Sequence, residues 1–177
     1  MTGDSATWPS DEMFREAWSE KHVYQTLNNQ KIVHILRRLS DSFLGTKSEK
    51  LSIESQLTVE HILPQKWIEN WPLEDGSKGM LHDEWWDAEP EDPRKIATSR
   101  RNALLHTFGN LTILTKPLNS AVSNSAWTTK KPELLKSSLL PINQYLYDFR
   151  VWDETAIVNR GKELFSRALL IWPAPGL

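Results

Sequence analysis

The sequence predicts an α+β fold that is mostly α-helical: a helical domain around a small strand–strand–helix core. Three observations lead there. Apolar residues recur at helical spacing towards both ends of the chain. Two short stretches, residues 57–63 and 111–115, are apolar and partly β-branched, and Pro64 ends the first. Pro117 then opens a short helix directly behind the second.

The elements follow in chain order. Residues 1–9 read as a flexible lead-in and 10–56 as an N-terminal helical part. From Ser10, the residues Met13, Phe14, Ala17, Trp18 and Tyr24 fall on one broad helical face. A second helix is expected from about Asn29 to Phe43, where Ile32, Val33, Ile35, Leu36 and Leu39 keep helical spacing and Gly45 is a stop. Polar residues 46–56 connect it to the first strand. The core is assigned to 57–130, with an insertion at 66–108. Residues 66–92 are rich in Trp, Pro, Gly and acids without a period, so they read as a long loop, a feature often functional in compact domains. A helix is expected from Pro93 to about Phe108, capped by Gly109. The second strand follows, then the short helix carrying Asn119. The C-terminal helices occupy 131–177. Residues 131–149 read as one or two helices broken near Pro141. In the last helix Asp153 is the N-cap, Trp152 and Ile157 form a hydrophobic staple, and the end comes near Ile171, before Pro173.

Bulk properties exclude several function classes. The 177 residues fit one domain, or one with a helical extension, and are enough to bury a core. The chain has no cysteine, which excludes disulfides, thiolate zinc sites and cysteine nucleophiles. No apolar run approaches the roughly 20 residues of a membrane span, and no signal-peptide pattern opens the chain. A cytoplasmic location and no membrane partner are the expectation. The net charge of −2 argues against a general nucleic-acid binder. Charge is uneven, however. An acidic stretch from Asp83 to Asp92 precedes Arg94, Lys95, Arg100 and Arg101, and Lys130, Lys131 and Lys136 cluster later. Such patches can meet phosphate. Nine tryptophans read as aromatic core packing.

The chemistry concentrates in three segments. Val59-Glu60-His61-Ile62-Leu63-Pro64-Gln65, Gly109-Asn110-Leu111-Thr112-Ile113-Leu114 and Leu118-Asn119-Ser120 set a histidine, a carboxylate and two asparagines around a strand, a strand and a helix. A metal-dependent phosphodiesterase needs a base for water, an oxygen ligand for a hard cation, and side chains that hold both. Imidazole titrates at about 6.5, so much of it is free base at neutral pH. Mg²⁺ prefers oxygen ligands and keeps several waters, so one carboxylate and one amide oxygen can suffice beside a phosphate. Each residue also has a plainer reading. His61 could be a packed histidine, Asn110 a turn or cap residue, Asn119 a polar residue of a helix N-terminus. Asn124 and Ser123 fit a cap or turn. Lys130 and Lys131 could contact DNA phosphate or simply be solvated. His106, flanked by Leu104, Leu105 and Phe108, reads as a helix flank, and His22, His34 and His82 have no setting like that of His61.

The strand–connection–strand–helix order around His61, Asn110 and Asn119 resembles the ββα-metal core of HNH (His-Me finger) endonucleases. The run GNLTILTKPLNSAVSNSAWTTKK, the upstream VEHILPQ and the terminal LLIWP are similar to the C-terminal nuclease domain of GmrSD-type restriction proteins, whose relatives include SspE-type phosphorothioate-sensing antiphage nucleases. The likeness covers most of the chain from about residue 10. It implies that His61 activates the attacking water and that Glu60 and Asn119 hold a metal. Asn110 would orient the histidine or stabilise its loop. It also implies Mg²⁺, with Mn²⁺ able to substitute, and nicking or cleavage of phage or other foreign DNA in a restriction system. A nucleotide-hydrolysing N-terminal sensor is expected as a separate domain or subunit, because this chain has no GxxxxGK[ST] loop. The rival readings are a non-catalytic DNA-binding or docking module on the same fold, and an RNA-cutting HNH-like nuclease. Two departures from the compact motif set conditions. The long insertion between His61 and Asn110 must leave the two strands adjacent. Neighbouring strand residues point to opposite faces, so Glu60 and His61 share a site only if the strand end is twisted or bulged.

Overall fold

The computed structural model describes residues 8–45, 53, 55–118 and 124–174. Its centre is a two-stranded antiparallel sheet, β1 (Leu57–His61) paired with β2 (Leu111–Thr115). The register runs from Leu57 opposite Thr115 to His61 opposite Leu111 without a break. The insertion therefore leaves the strands adjacent, as the motif requires. Two strands alone are marginal in water, so both faces are covered. Leu57, Val59, Leu111 and Ile113 join one apolar cluster, and Leu114 joins the other on the opposite face.

The first face is covered from the N-terminal side. Helix α1 (Asp11–Glu20) starts where the Ser10 hydroxyl accepts the Met13 N–H at 3.2 Å. It ends sooner than the apolar face to Tyr24 suggests. Lys21 is extended, and a separate turn of helix, α2 (Val23–Thr26), carries Tyr24. The break lets the Tyr24 N–H donate to the His106 carbonyl at 3.3 Å, a tertiary bond that a continued helix would forfeit. Helix α3 (Asn29–Asp41), capped by Asn28, contacts both strands and buries Ile32, Leu36 and Leu39 completely.

The long insertion is structured. It holds a 3₁₀ turn at Trp67–Glu69 and helix α4 (His82–Asp87). Trp67 and Trp71 bury their rings and donate their N–H groups. Trp67 reaches the Asn102 side chain at 2.9 Å and Trp71 the Ser125 carbonyl at 3.2 Å. Arg101 locks the segment down. It pairs with Glu154 at 2.6 Å and donates to the carbonyls of Trp71 and Pro72. Because the pairing is tertiary, no periodicity announces it.

Helix α5 (Pro93–Leu104), capped by the Asp92 carboxylate, stops short of the expected Phe108. The Thr107 hydroxyl bonds the Leu104 carbonyl, and the chain enters a 3₁₀ turn at Phe108–Asn110 that feeds β2. Gly109 thus lies inside that turn instead of capping α5. Its lack of a side chain has a tertiary reason: a Cβ there would collide with the backbone carbonyl of Ile157. Residues 116–118 behind β2 are helical, and Asn119 lies outside the described residues.

Helix α6 (Trp127–Ser137) begins ahead of the expected residue 131 because Ala126 supplies no side-chain cap to mark the start. Helix α7 (Pro141–Gln144) and a 3₁₀ turn at Tyr145–Asp148 follow. The terminal helix α8 (Glu154–Ile171) matches its sequence signals. Asp153 accepts the Ala156 N–H at 2.8 Å, and Trp152 and Ile157 are buried in one cluster. The α8 helix packs on the Phe108–Asn110 turn, on α1 and on α3.

This crossing yields a first expected outcome. Gly109→Ala forces a methyl group against backbone that cannot rotate away. Overpacking typically costs about 1–3 kcal/mol, and a backbone obstacle puts the effect at the upper end. Urea unfolding checks it. A variant as stable as the parent would mean that α8 moves freely over the turn.

Candidate active site around His61

His61 closes β1 and is 5% exposed. Its Nε2 lies 3.1 Å from Nδ1 of His106, which sits between α5 and the 3₁₀ turn. Tyr24 from α2 holds both rings. Its ring meets His61 edge-on at 4.5 Å and lies nearly parallel to His106 at 5.7 Å. His22 stands behind, 5.7 Å from His106. Burial, then the charges of His106 and Lys130, pushes the His61 pKa down to about 3. Burial, then His22, also lowers that of His106. His61 and His106 are therefore neutral imidazoles at ordinary pH.

The chain leaving His61 is pinned atom by atom. The Lys130 ammonium donates to the His61 carbonyl at 2.7 Å. The Ile62 N–H donates to the Asn110 carbonyl at 2.9 Å. The Asn110 side chain then takes both backbone groups of Leu63, accepting its N–H at 2.8 Å and donating to its carbonyl at 2.9 Å. The same amide donates to the Leu105 carbonyl and accepts from the Trp152 indole at 3.1 Å. Asn110 is fully buried, and both of its N–H groups and both oxygen lone pairs are used. Its contacts are to the loop after His61, not to the imidazole itself.

Glu60 faces the other way. The strand carries no bulge through His61, so the two neighbours lie on opposite faces of the sheet. The Glu60 carboxylate pairs with Lys130 of α6 at 2.5 Å. Burial raises the Glu60 pKa, with Lys130 pulling it back down. Burial likewise lowers that of Lys130, with Glu60 opposing. Lys130 is 0% exposed, unlike a surface phosphate contact. Lys131 is half-buried and donates to the carbonyls of Tyr147 and Phe149, both at 2.7 Å. Asn124 is exposed in a turn, and its carbonyl accepts from Asn70.

The structure thus brings His61, Asn110, Glu60 and Lys130 to one strand end and adds two residues that sequence reasoning passed over. His106 reads locally as a helix flank, and its partnership with His61 comes from tertiary packing. Tyr24 reads as part of an α1 face that breaks before reaching it. Their nearest sequence signal is the position of His106 just before the Gly109-Asn110 turn. Among the described residues no three His, Asp or Glu side chains gather as a cation site. One Glu60 oxygen is drawn to Lys130 and away from use as a cation ligand.

A family model described as the C-terminal domain of GmrSD restriction endonucleases matches residues 8–167. No curated protein and no solved structure matches the chain.

Two outcomes follow from this electrostatics. The unfolded chain binds a proton on His61 near the ordinary 6.5, and the folded chain does so only near 3. Between those values the unfolded state holds more protons, so stability rises with pH and falls on acidification, by up to about 1.4 kcal/mol per pH unit for one suppressed proton. NMR titration should leave the His61 ring signals flat through the ordinary imidazole range; a midpoint near 6.5 would contradict the burial argument. The second outcome concerns the pair. Lys130→Met strands a buried carboxylate and should cost about 3–5 kcal/mol, whereas adding Glu60→Leu should recover part of the loss. Denaturant unfolding of the single and double variants measures the difference.

Proposed function

The chain belongs to the family of GmrSD restriction endonuclease C-terminal domains and is a nuclease domain of that family; from this premise we propose that it nicks or cleaves DNA by hydrolysing a phosphodiester, with His61 as the general base. The observation that carries this reading is the fixed placement of His61. Its imidazole is held neutral by burial, and the backbone that follows it is clamped by Asn110 and Lys130. A neutral imidazole with one free lone pair can take a proton from water while the water oxygen attacks phosphorus and the 3′ oxygen leaves. A proton held on the imidazole would block that step, and burial suppresses it.

The proposed cation is Mg²⁺, with Mn²⁺ able to substitute. Bound there, it would stabilise negative charge at the phosphate and the leaving 3′ oxygen. In this reading Asn119 is its protein ligand, with the DNA phosphate completing the oxygen shell. Glu60 serves instead as the partner of Lys130, which holds the His61 carbonyl. Asn110 is the positioning residue of the loop. Lys130 and Lys131 act through the carbonyls they hold and not through DNA phosphate. The proposed setting is defence against phage or other foreign DNA, with a nucleotide-hydrolysing sensor, in another domain or subunit, delivering the substrate.

Supercoiled plasmid tests the reading. Open-circular or linear product should form with Mg²⁺ or Mn²⁺ and not with EDTA. Folded His61→Ala should lose about 10²–10⁴-fold in rate, the usual contribution of a general base. Wild-type rates in that variant would remove His61 from the base role. Undiminished cleavage after exhaustive chelation would remove the metal. Cleavage of RNA but not of DNA would reassign the substrate.

A further inference from the structure

We propose that His106 is a positioning residue that fixes the tautomer of His61: its Nδ1 accepts the His61 Nε2–H and leaves His61 Nδ1 as the basic nitrogen. The inference rests on the reading of His61 as the base and names a residue that this reading does not require. The geometry comes first. Two ring nitrogens 3.1 Å apart cannot face each other with two lone pairs or with two protons, so one of them donates. Two neutral arrangements are possible. In one, His61 donates from Nε2, its Nδ1 keeps a lone pair, and His106 carries its own proton on Nε2. In the other, His106 donates from Nδ1, and His61 must carry its proton on Nδ1.

Two considerations select the first arrangement. Free neutral imidazoles of histidine favour the Nε2–H tautomer, and only the first arrangement gives that form to both rings. His106 is half-buried where His61 is buried, so the outward Nε2–H of His106 can be met by solvent. The Nδ1 of His61 makes no hydrogen bond among the described residues yet is not sealed from water, so as a lone pair it can meet a water molecule. The first arrangement therefore leaves on His61 the open lone pair that a base needs.

The surroundings hold His106 ready for this part. Its carbonyl accepts the Tyr24 N–H at 3.3 Å, and the Tyr24 ring lies 11° from parallel with the His106 ring. The ring planes of His61 and His106 stand at 84°, so the acceptor lone pair of one can meet the in-plane N–H of the other edge-on. Tyr24 therefore sets the angle of the pair, and His106 sets where the proton sits.

The test pairs a spectroscopic readout with rescue, on the full chain. Long-range ¹H–¹⁵N correlation on wild-type protein should report His61 as the Nε2–H tautomer. His106→Leu, close in size but without an acceptor, should give a mixture of tautomers. It should also lower the rate of plasmid cleavage about 10–100-fold, the usual range for a residue that orients a site histidine, with KM little changed. His106→Asn puts a carbonyl oxygen near the lost Nδ1 and should regain most of the rate and the Nε2–H form. Finding His61 as Nδ1–H in the wild type would overturn the inference. So would a His106→Leu variant that keeps its rate, or Leu and Asn variants that lose it equally. If the wild-type protein cuts no nucleic acid, the nuclease reading fails by itself, and the tautomer spectrum still decides the hydrogen bond.

Discussion

The amide of Asn110 joins three segments far apart in the chain: the loop after β1 at Leu63, the end of α5 at Leu105 and the approach to α8 at Trp152. Both faces of the amide are needed. An aspartate could accept from Leu63 and Trp152 but would set a charge against the carbonyls of Leu63 and Leu105. A leucine would fill the space and strand four buried polar groups, each at about 1–3 kcal/mol. The demand for two donors and two acceptors in one small planar group explains why an asparagine stands here. It also ties the position of His61 to the packing of the terminal helix. His61 is the last residue of a strand whose following backbone is hydrogen-bonded to this amide.

A second constraint follows from having only two strands. A small sheet between helices leaves many carbonyls in turns, and buried carbonyls must find donors. This protein answers with cations. Lys130 takes the His61 carbonyl and Lys131 those of Tyr147 and Phe149. Arg101 takes Trp71 and Pro72, and Arg160 takes Phe108, Gly109 and Leu111. Arg160 does so at 0% exposure, and burial lowers its pKa to about 9 while Tyr145 holds it up. Basic residues that look like a phosphate-binding patch in the sequence are therefore turned inward in several cases. The same chemistry that would bind a phosphate oxygen binds a carbonyl oxygen, and composition cannot tell the two apart.

What was legible in the sequence was local. The N-cap Asp153, the proline at the start of α5 and the two strands all carry their signals within a few residues. What was hidden was set by partners at a distance. Tyr24 leaves the α1 face because the His106 carbonyl takes its N–H. Gly109 looks like a helix stop, yet its small size serves the crossing with α8. Lys130 looks like half of a solvated pair, yet Glu60 and the His61 carbonyl draw it inside. The site divides in the same way. His61 and Asn110 stand in recognisable strings, while His106 has an unremarkable local context and gains its meaning only from the imidazole at the end of β1.

The strong depression of the His61 pKa bears on how such a base would work. A base titrating near 3 is protonated little at neutral pH, but it also attracts a proton weakly. Its causes are burial and neighbouring positive charge, so they can be opposed by a negative one. A phosphodiester arriving at the strand end brings that charge, and an opposite charge within about 4–6 Å typically raises a base's pKa by about 1–3 units. In the nuclease reading, the free protein holds His61 neutral but feebly basic, and the substrate's own phosphate strengthens it on arrival. His106, Tyr24, Asn110 and Lys130 then act together to keep an imidazole in position, in one protonation state, before the charge that completes it is present.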